Sequence, residues 1–580
     1  MLKTLTPYLR QYRKYAVLAP IMVVLEVVCE LVLPRTMAAI VDVGITTGDV
    51  RYIAQMGAVM VAVALLSMTF GVLSTRFSAA ASQGFGANLR QGLYDKVQEF
   101  SFADIDRFSS GSLITRMTND VNALSMMIAM GLRLLVRAPV MLVAALVIAF
   151  TINAPLARIL VIIIPIMAFA IFLLMKVCVR LFEVMQTRID HLNNTVQENL
   201  VAVRVVKAFV RAGYEKTKFM RSNDALTEAS LKVGTRIVIM LPIMMISLNA
   251  ATVAVLWTGG RQVMGGTLLV GDLSSFLTYI VQILFSVMMV AMALLQLSRA
   301  QACAHRICEV LRTEPDIRDS AESAGAQLPE PRGRVEFRDV SFKYVATGTG
   351  DDVLSHIDLT IEPGQFVAVV GGTGVGKSSL VNLIPRFYDV TGGAVLVDGM
   401  DVRDYPIEAL RERIGMVLQN NVLFSGTIRE NLLWGKADAT DEELERAARD
   451  AQAYDFIMSF PDGFDTWLEQ GGVNVSGGQK QRLCIARAML RQPAILILDD
   501  STSAVDSATE AAIRASFSRN LKDTTVIIIA QRISSVQYAD KIVILDDDHI
   551  AGVGTHEELL AGNRIYQEIY QSQQEGVAEP

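Results

Sequence analysis

The sequence predicts an α-helical membrane domain of six transmembrane helices with long intracellular extensions, fused to an α/β domain of the P-loop NTPase kind. Three observations predict it. Hydrophobic residues make up 52% of the 580 and charged residues only 19%, with a mean hydropathy of +0.38. That is the profile of a membrane protein carrying a soluble part, not of a soluble enzyme. The apolar excess is concentrated in six runs before residue 300. Beyond them lies Gly371-Gly372-Thr373-Gly374-Val375-Gly376-Lys377-Ser378-Ser379, which fits the phosphate-loop pattern G-x-x-x-x-G-K-[ST]. The chain is too long for one core, and the predicted division is a membrane domain over 1–315, a linker over 316–333 and a nucleotide-binding domain over 334–580.

Residues 2–14 carry Lys3, Arg10, Arg13 and Lys14 and read as a short amphipathic helix at the membrane surface. The apolar runs follow at 16–38, 53–75, 131–152, 156–178, 236–258 and 273–297. Each is long enough to cross about 30 Å of hydrocarbon as a helix. The connections at 76–130 and 179–235 are long, helical in periodicity and basic (Arg76, Arg90, Lys96, Arg188, Arg204 and Lys207 among others). The basic bias places them in the cytoplasm, with the N-terminus on the same side. An even number of spans then returns the chain to the cytoplasm, where a nucleotide is available.

Within the spans, Glu26 and Glu30 share one helix face, as do Arg133 and Arg137. Ionisable groups at membrane depth face a cavity or each other. An interhelical ion pair and a substrate contact both fit the spacing. Met240, Met244, Met245, Met264, Met288, Met289 and Met292 fit an adaptable lining for apolar ligands or ordinary gap-filling. Pro34, Pro139, Pro165 and Pro242 mark kinks that neighbouring helices can tolerate. The five cysteines form no C-x-x-C pair, which signals neither a disulfide nor a metal site and fits a reducing compartment. The net charge of −6 argues against nucleic acid as a partner.

In the soluble half, Gln365–Val370 reads as a buried strand and Ser379–Ile384 as a helix whose N-terminus faces an anion. This flanking context is what the phosphate loop requires. Lys377 would reach the β/γ-phosphates of a nucleoside triphosphate and Ser378 would ligate Mg²⁺. Ala494–Asp499 is an apolar strand ending in two acids, Asp499 and Asp500, and Asp499 at the strand tip would hold Mg²⁺ or its water. Between these motifs, Ser476-Gly477-Gly478-Gln479 opens a helix and forms a second anion-binding terminus. One chain cannot easily bring both phosphate sites onto one γ-phosphate, so a second copy or a partner would complete each site.

These motifs, in this order and behind six spans, resemble those of an ATP-binding cassette (ABC) exporter half-transporter, and the resemblance covers nearly the whole chain. It implies ATP and Mg²⁺ as cofactors. It also implies an adenine-stacking role for Tyr344, a Gln-loop at Gln419 that also reaches the metal, a signature at Ser476–Gln479 and a D-loop at Ser503–Asp506. The segments Asp106–Arg116 and Val203–Glu215 resemble the intracellular loops that bear the family's coupling helices.

Two positions depart from the family pattern. Members that hydrolyse ATP efficiently carry Glu where this chain has Asp500, and His where it has Gln531. The shorter carboxylate falls about 1 Å short of the attacking water, a misplacement that costs on the order of a hundredfold. Gln531 can hydrogen-bond but cannot carry a proton or charge. Together these resemble the degenerate-site subunit of a heterodimeric exporter, whose partner half-transporter would supply a Glu and a His and use this chain's signature. The implied activity is ATP-driven efflux of amphipathic drugs, lipids or peptides across a bacterial plasma membrane by alternating access. A nearly silent ATP-binding regulatory subunit and an importer of the siderophore type with exporter fold are the competing readings. No motif in the sequence encodes the substrate.

Overall fold

The computed structural model describes residues 2–319, 327–344, 352–500 and 507–578. The chain forms two units. One comprises residues 1–98 and 111–313; the other comprises 99–110 and 314–580.

Among the described residues six helices are long and apolar enough to cross a membrane: Lys3–Ile45, Val50–Gln98, Ser110–Ile152, Ala154–Val201, Ala212–Met264 and Val270–Val290. The helix Val50–Gln98 has 49 residues, about 75 Å at 1.5 Å per residue, more than twice the hydrocarbon thickness of about 30 Å. The long extensions expected between spans are therefore continuations of the spanning helices. At the N-terminal end of the first of these, Leu2–Leu9 forms a short helical segment that lies on Val50–Gln98, where Asn88 Nδ2 donates to the Tyr8 carbonyl at 3.0 Å.

Local chemistry explains the irregularities. Helix Ala212–Val238 gives way to Met240–Met264 because Pro242 has no N–H to offer the Val238 carbonyl. Asp42, in the π-helical turn Ile40–Ile45, accepts from the N–H groups of Gly271 and Asp272 at 2.6 and 3.2 Å. It thereby caps the helix Val270–Arg312, where a carboxylate is favoured by the unpaired N–H groups and the dipole. Leu156, Leu160, Phe276 and Ile280 form the buried seam. Of the methionines, Met240 is buried in it and Met244 is buried elsewhere, whereas Met245 and Met264 are exposed and Met289 borders the membrane cavity described below. The side chain of Met292 lies outside the described residues.

The second unit holds a six-stranded sheet in the order His549–Gly554, Lys541–Asp546, Phe366–Gly371, Thr525–Ile529, Ile495–Asp499, Ile414–Val417. All neighbours are parallel except the first pair. The central strands read as unbroken apolar runs because both faces are covered, and their burial is complete at Ile495–Asp499 and Thr525–Ile529. In register, Asp499 pairs with Ile529 and Ile529 with Val369. The carboxyl ends of three strands, where ligands of open α/β sheets bind, thus lie side by side. A second, antiparallel sheet joins Leu354–Ile361, Val335–Phe342, Gly392–Val397 and Met400–Asp401. To this unit also belongs the short helix Phe102–Phe108, held by a Ser101/Asp104 capping box and by Phe102 stacked on Phe387 at 4.4 Å.

Candidate nucleotide site and membrane cavity

The phosphate loop joins strand Phe366–Gly371 to helix Lys377–Leu383, with Gly372, Thr373, Gly374 and Val375 in the turn between. Two glycines are required sterically. A Cβ on Gly371 would sit 2.3 Å from the Leu545 carbonyl oxygen, and one on Gly376, at φ +86°, 2.9 Å from that of Val353. Only glycine lets the backbone wind this closely at positive φ. Lys377 Nζ donates to the carbonyls of Gly371, at 3.0 Å, and Gly372. Burial lowers its pKa, and Asp500 and Asp499 oppose that shift.

Ser378 Oγ donates to Asp499 Oδ1 at 3.0 Å. Asp499 is buried at the end of its strand. Burial raises its pKa and the Ser378 hydrogen bond holds it down. A hydroxyl and a carboxylate oxygen at this separation are the hard donors Mg²⁺ selects, and they lie beside a loop whose glycines at 371 and 376 leave no room for a Cβ. The residues present fit ATP and Mg²⁺. When bound, the metal neutralises phosphate charge; what this chain supplies is the cradle, the cation Lys377 and the oxygens of Ser378 and Asp499.

Asp500 adopts φ +48°, its N–H bonded to the Ile529 carbonyl at 3.1 Å. Burial raises its pKa, and the Gln531 hydrogen bond counters that. Gln531 Nε2 donates to Asp500 Oδ2 at 2.9 Å, so the two residues that depart from the family pattern engage each other. Gln419 is exposed just past strand Ile414–Val417. Tyr344 lies with its hydroxyl 2.9 Å from Ser379 Oγ. The D-loop position Asp506 is outside the described residues.

Ser476 and Gln479 close a capping box on the helix Gly477–Leu490, with the Ser476 N–H on Gln479 Oε1 at 2.9 Å and the Gln479 N–H on Ser476 Oγ at 3.3 Å. The N–H groups of Gly477 and Gly478 open the same terminus. One contributor escaped sequence reasoning. Gln573, on the helix Arg564–Ala578, donates to the Gln531 carbonyl and accepts from the Ile533 N–H, both at 2.8 Å. It holds the backbone that presents Gln531. A lone Gln in a polar tail offers no periodicity or motif to find it by.

In the membrane unit Arg137 gathers both acids. Its Nη1 bonds Glu26 Oε1 at 2.5 Å, and its Nη2 bonds the two Glu30 oxygens at 2.6 and 2.8 Å. Beside this triad is a cavity of about 550 Å³ whose wall includes Glu26, Ser78, Met126, Arg133 and Arg137. Glu30 is not in the wall; both of its oxygens bond Arg137. Of the four ionisable residues singled out in the spans, Glu26, Arg133 and Arg137 border this cavity, and Arg133 has no ion-pair partner among the described residues.

The triad makes its own prediction. Arg137→Met should destabilise the membrane unit by about 3–5 kcal/mol, because it strands two carboxylates in a low-dielectric place. The readout is the melting temperature of the detergent-solubilised protein, with Glu26→Gln/Glu30→Gln on the same background restoring most of the loss. An unchanged melting temperature for Arg137→Met would mean the acids owe nothing to the arginine.

Six helices able to span a membrane, fused to a phosphate-loop domain whose strand tips gather a nucleotide site, define a membrane-embedded ATPase. Comparison with known proteins gives its family. Residues 17–287 match the family model for the ABC transporter transmembrane region and residues 354–503 the one for the ABC transporter. The chain is 38% identical over 566 residues to the uncharacterized ABC transporter ATP-binding protein YfiB of Bacillus subtilis (strain 168), covering 98% of this chain and 97% of that one. It is 40% identical over 576 residues to the uncharacterized ABC transporter ATP-binding protein Rv1273c of Mycobacterium tuberculosis (strain ATCC 25618 / H37Rv), covering 99% and 98%. The ATP-dependent lipid A-core flippase of Syntrophus aciditrophicus (strain SB) is 35% identical over 487 residues, covering 84% and 80%. Among solved structures, a bacterial Atm1-family ABC exporter with ATP bound superposes with a TM-score of 0.82 at 25% identity, over 97% of this chain and 98% of that one. The chain belongs to the ABC transporter family. It is an exporter-type half-transporter that hydrolyses ATP, a multi-pass membrane protein with its nucleotide-binding unit in the cytoplasm.

Proposed function

We propose that this chain is one half of a heterodimeric exporter of amphipathic compounds, the half whose own ATP site turns over slowly, in a bacterial plasma membrane with the N-terminus cytoplasmic. The observation that carries the reading is the Asp500–Gln531 pair, with Gln531 Nε2 on the carboxylate at 2.9 Å. A general base must be free to take a proton from the attacking water and must reach it. Asp500 is a methylene shorter than Glu and already shares one oxygen with an amide. Tyr344, Gly371–Ser379, Gln419 and Asp499 remain equipped to hold ATP and Mg²⁺, and Ser476–Gln479 is intact for the partner's nucleotide, with Asp506 alongside in the family's scheme.

An assembly with another half is supported by the helix Val203–Ala208, which buries none of its residues, and by its neighbours Phe209 and Val210, 73% and 86% exposed. Apolar groups held out in this way mark a surface that another protein covers. An amphipathic substrate is supported by a cavity whose wall combines Met126 with Ser78 and Arg133, and by the lipid A-core flippase name carried by a relative. The test is Lys377→Ala in the purified pair. It should abolish nucleotide binding at this chain's loop while total ATP turnover falls only partly. Loss of all turnover overturns the slow-site reading.

A further inference from the structure

The cavity of about 550 Å³ in the membrane unit is walled by residues of the first, second, third and sixth spanning helices. Val23, Met126, Met130, Leu134 and Met289 give it an apolar body. Its hydroxyls already direct their protons at backbone carbonyls. Thr75 Oγ1 donates to Gly71 at 2.8 Å, Ser78 Oγ to Ala129 at 3.0 Å and Ser82 Oγ to Ala79 at 3.2 Å. In these bonds they keep only lone pairs for a ligand.

The charged groups divide unevenly. Glu26 and Glu30 are both engaged by Arg137. Glu26 Oε2 is enclosed and accepts no hydrogen bond, and Gly71 packs so closely that a Cβ there would meet Glu26 Oε1 at 3.1 Å. A cation in the cavity reaches these acids only by opening the triad. Arg133 stands apart. It is half-buried in the wall, has no ion-pair partner among the described residues, and lies about one helical turn before Arg137 on the same face. The nucleotide-binding unit follows the sixth span in the cytoplasm, so the third span begins on that side. Arg133, near the start of the apolar run 131–152, is therefore at the level of the inner-leaflet head groups.

We propose that Arg133 makes this cavity selective for amphiphiles bearing a single oxyanion head group, a carboxylate or a phosphate ester, taken from the cytoplasmic leaflet. The proposal rests on the reading of the chain as an exporter of amphipathic compounds and names the head group. A planar guanidinium offers two parallel N–H groups to two oxygens of such a head, and in this wall no carboxylate competes for them. The methionine thioethers adapt to tails of differing shape, so the tail is selected loosely and the head strictly. One free arginine matches one anion, because the Arg137 donors are held by Glu26 and Glu30. The formal charges of Glu26, Glu30, Arg133 and Arg137 cancel. Removing Arg133 leaves a negative surplus, whose field acts on a ligand without contact in a low dielectric, and the preference turns toward cations.

The test is equilibrium binding to the full-length chain in phosphatidylcholine nanodiscs, measured against empty nanodiscs. The probes share one dodecyl tail: dodecyl phosphate, dodecyltrimethylammonium and dodecyl maltoside. The wild type should bind dodecyl phosphate at least about tenfold more tightly than either of the others, the scale of a charge-assisted bidentate contact. Arg133→Gln should lose that advantage and reverse the order of phosphate and ammonium, whereas Arg133→Lys, which keeps the charge, should retain the order. Both variants should melt with the wild type, because Arg133 holds no ion pair. Met126→Trp, which fills the wall, should weaken all three probes. Unchanged dodecyl phosphate affinity in Arg133→Gln overturns the proposal. Unchanged affinity in Met126→Trp also overturns it, since the probe then sits in the lipid annulus. So does competition by inorganic phosphate at the probe's own concentration, which marks a site for free anions. Tightest wild-type binding of the ammonium probe overturns the head-group assignment and leaves export of amphiphiles standing. Absence of saturable binding by any probe removes the amphipathic cavity, and the proposal falls with its premise.

Discussion

Asp500→Glu combined with Gln531→His will raise ATP hydrolysis at this chain's own site by about ten- to a hundredfold, the scale set by a misplacement of about 1 Å at a reacting group. The structure supplies the reason the two changes must go together. Gln531 Nε2 lies 2.9 Å from Asp500 Oδ2, and the Asp500 backbone is fixed at φ +48° by its N–H bond to Ile529. A longer carboxylate alone would still find the Gln531 amide within reach and remain tethered. Histidine alone would face a carboxylate that still falls short of the water. The change to His also restores a side chain able to carry a proton near neutral pH. Backbone support for it is already in place, because Gln573 bonds the residue 531 carbonyl and the Ile533 N–H. The measurement, on the proposed heterodimer, is single-turnover hydrolysis in the assembled pair with the Glu expected in the partner removed. If the double variant stays at the wild-type rate, the proposal that these two residues make the site slow falls.

Much of this arrangement was legible in the sequence because the chemistry is local. A phosphate loop is contiguous, and its flanking strand and helix have strong periodic signatures, so Gly371–Ser379 and the elements around it follow from residues alone. Asp499 follows because it ends an apolar run. The extents of the spanning helices were less legible. Hydropathy marks only the stretch inside the membrane, whereas Val50–Gln98 continues as one helix far beyond it, through residues whose composition is that of any amphipathic surface. The contacts that cross the sequence were legible only as an open alternative, the interhelical ion pair that the spacing of the membrane acids and arginines allowed. Arg137 closing on both Glu26 and Glu30 needs the packing of two helices, which spacing of four along each one permits but does not select. Tyr388 on Asp106 and Gln573 on Gln531 join residues 282 and 42 positions apart and carry no motif.

Gly477→Asp will remove most ATP turnover of the assembled transporter, by about a hundredfold or more, while leaving this chain folded and its own loop able to bind nucleotide. The separation of these effects follows from where Gly477 sits. It is the first residue of the helix Gly477–Leu490, after the Ser476 cap, and it is not among the glycines at positive φ, so a side chain is accepted without backbone strain. A carboxylate at a helix N-terminus is stabilising by about 0.3–1 kcal/mol, and stability should hold or rise. The same carboxylate occupies the place where the open N–H groups would meet the partner's nucleotide, and it repels a phosphate of like charge. Ser476→Ala is the complementary variant: it should cost about 1 kcal/mol through loss of the cap and lower turnover by removing a hydroxyl, a mixed result that only the glycine variant resolves. Turnover by the purified pair, nucleotide binding at the Lys377 loop and the melting temperature are measured together. Undiminished turnover in Gly477→Asp would show that Ser476–Gln479 completes no site on the partner, and the heterodimer reading would then lose the part of this chain on which rapid hydrolysis depends.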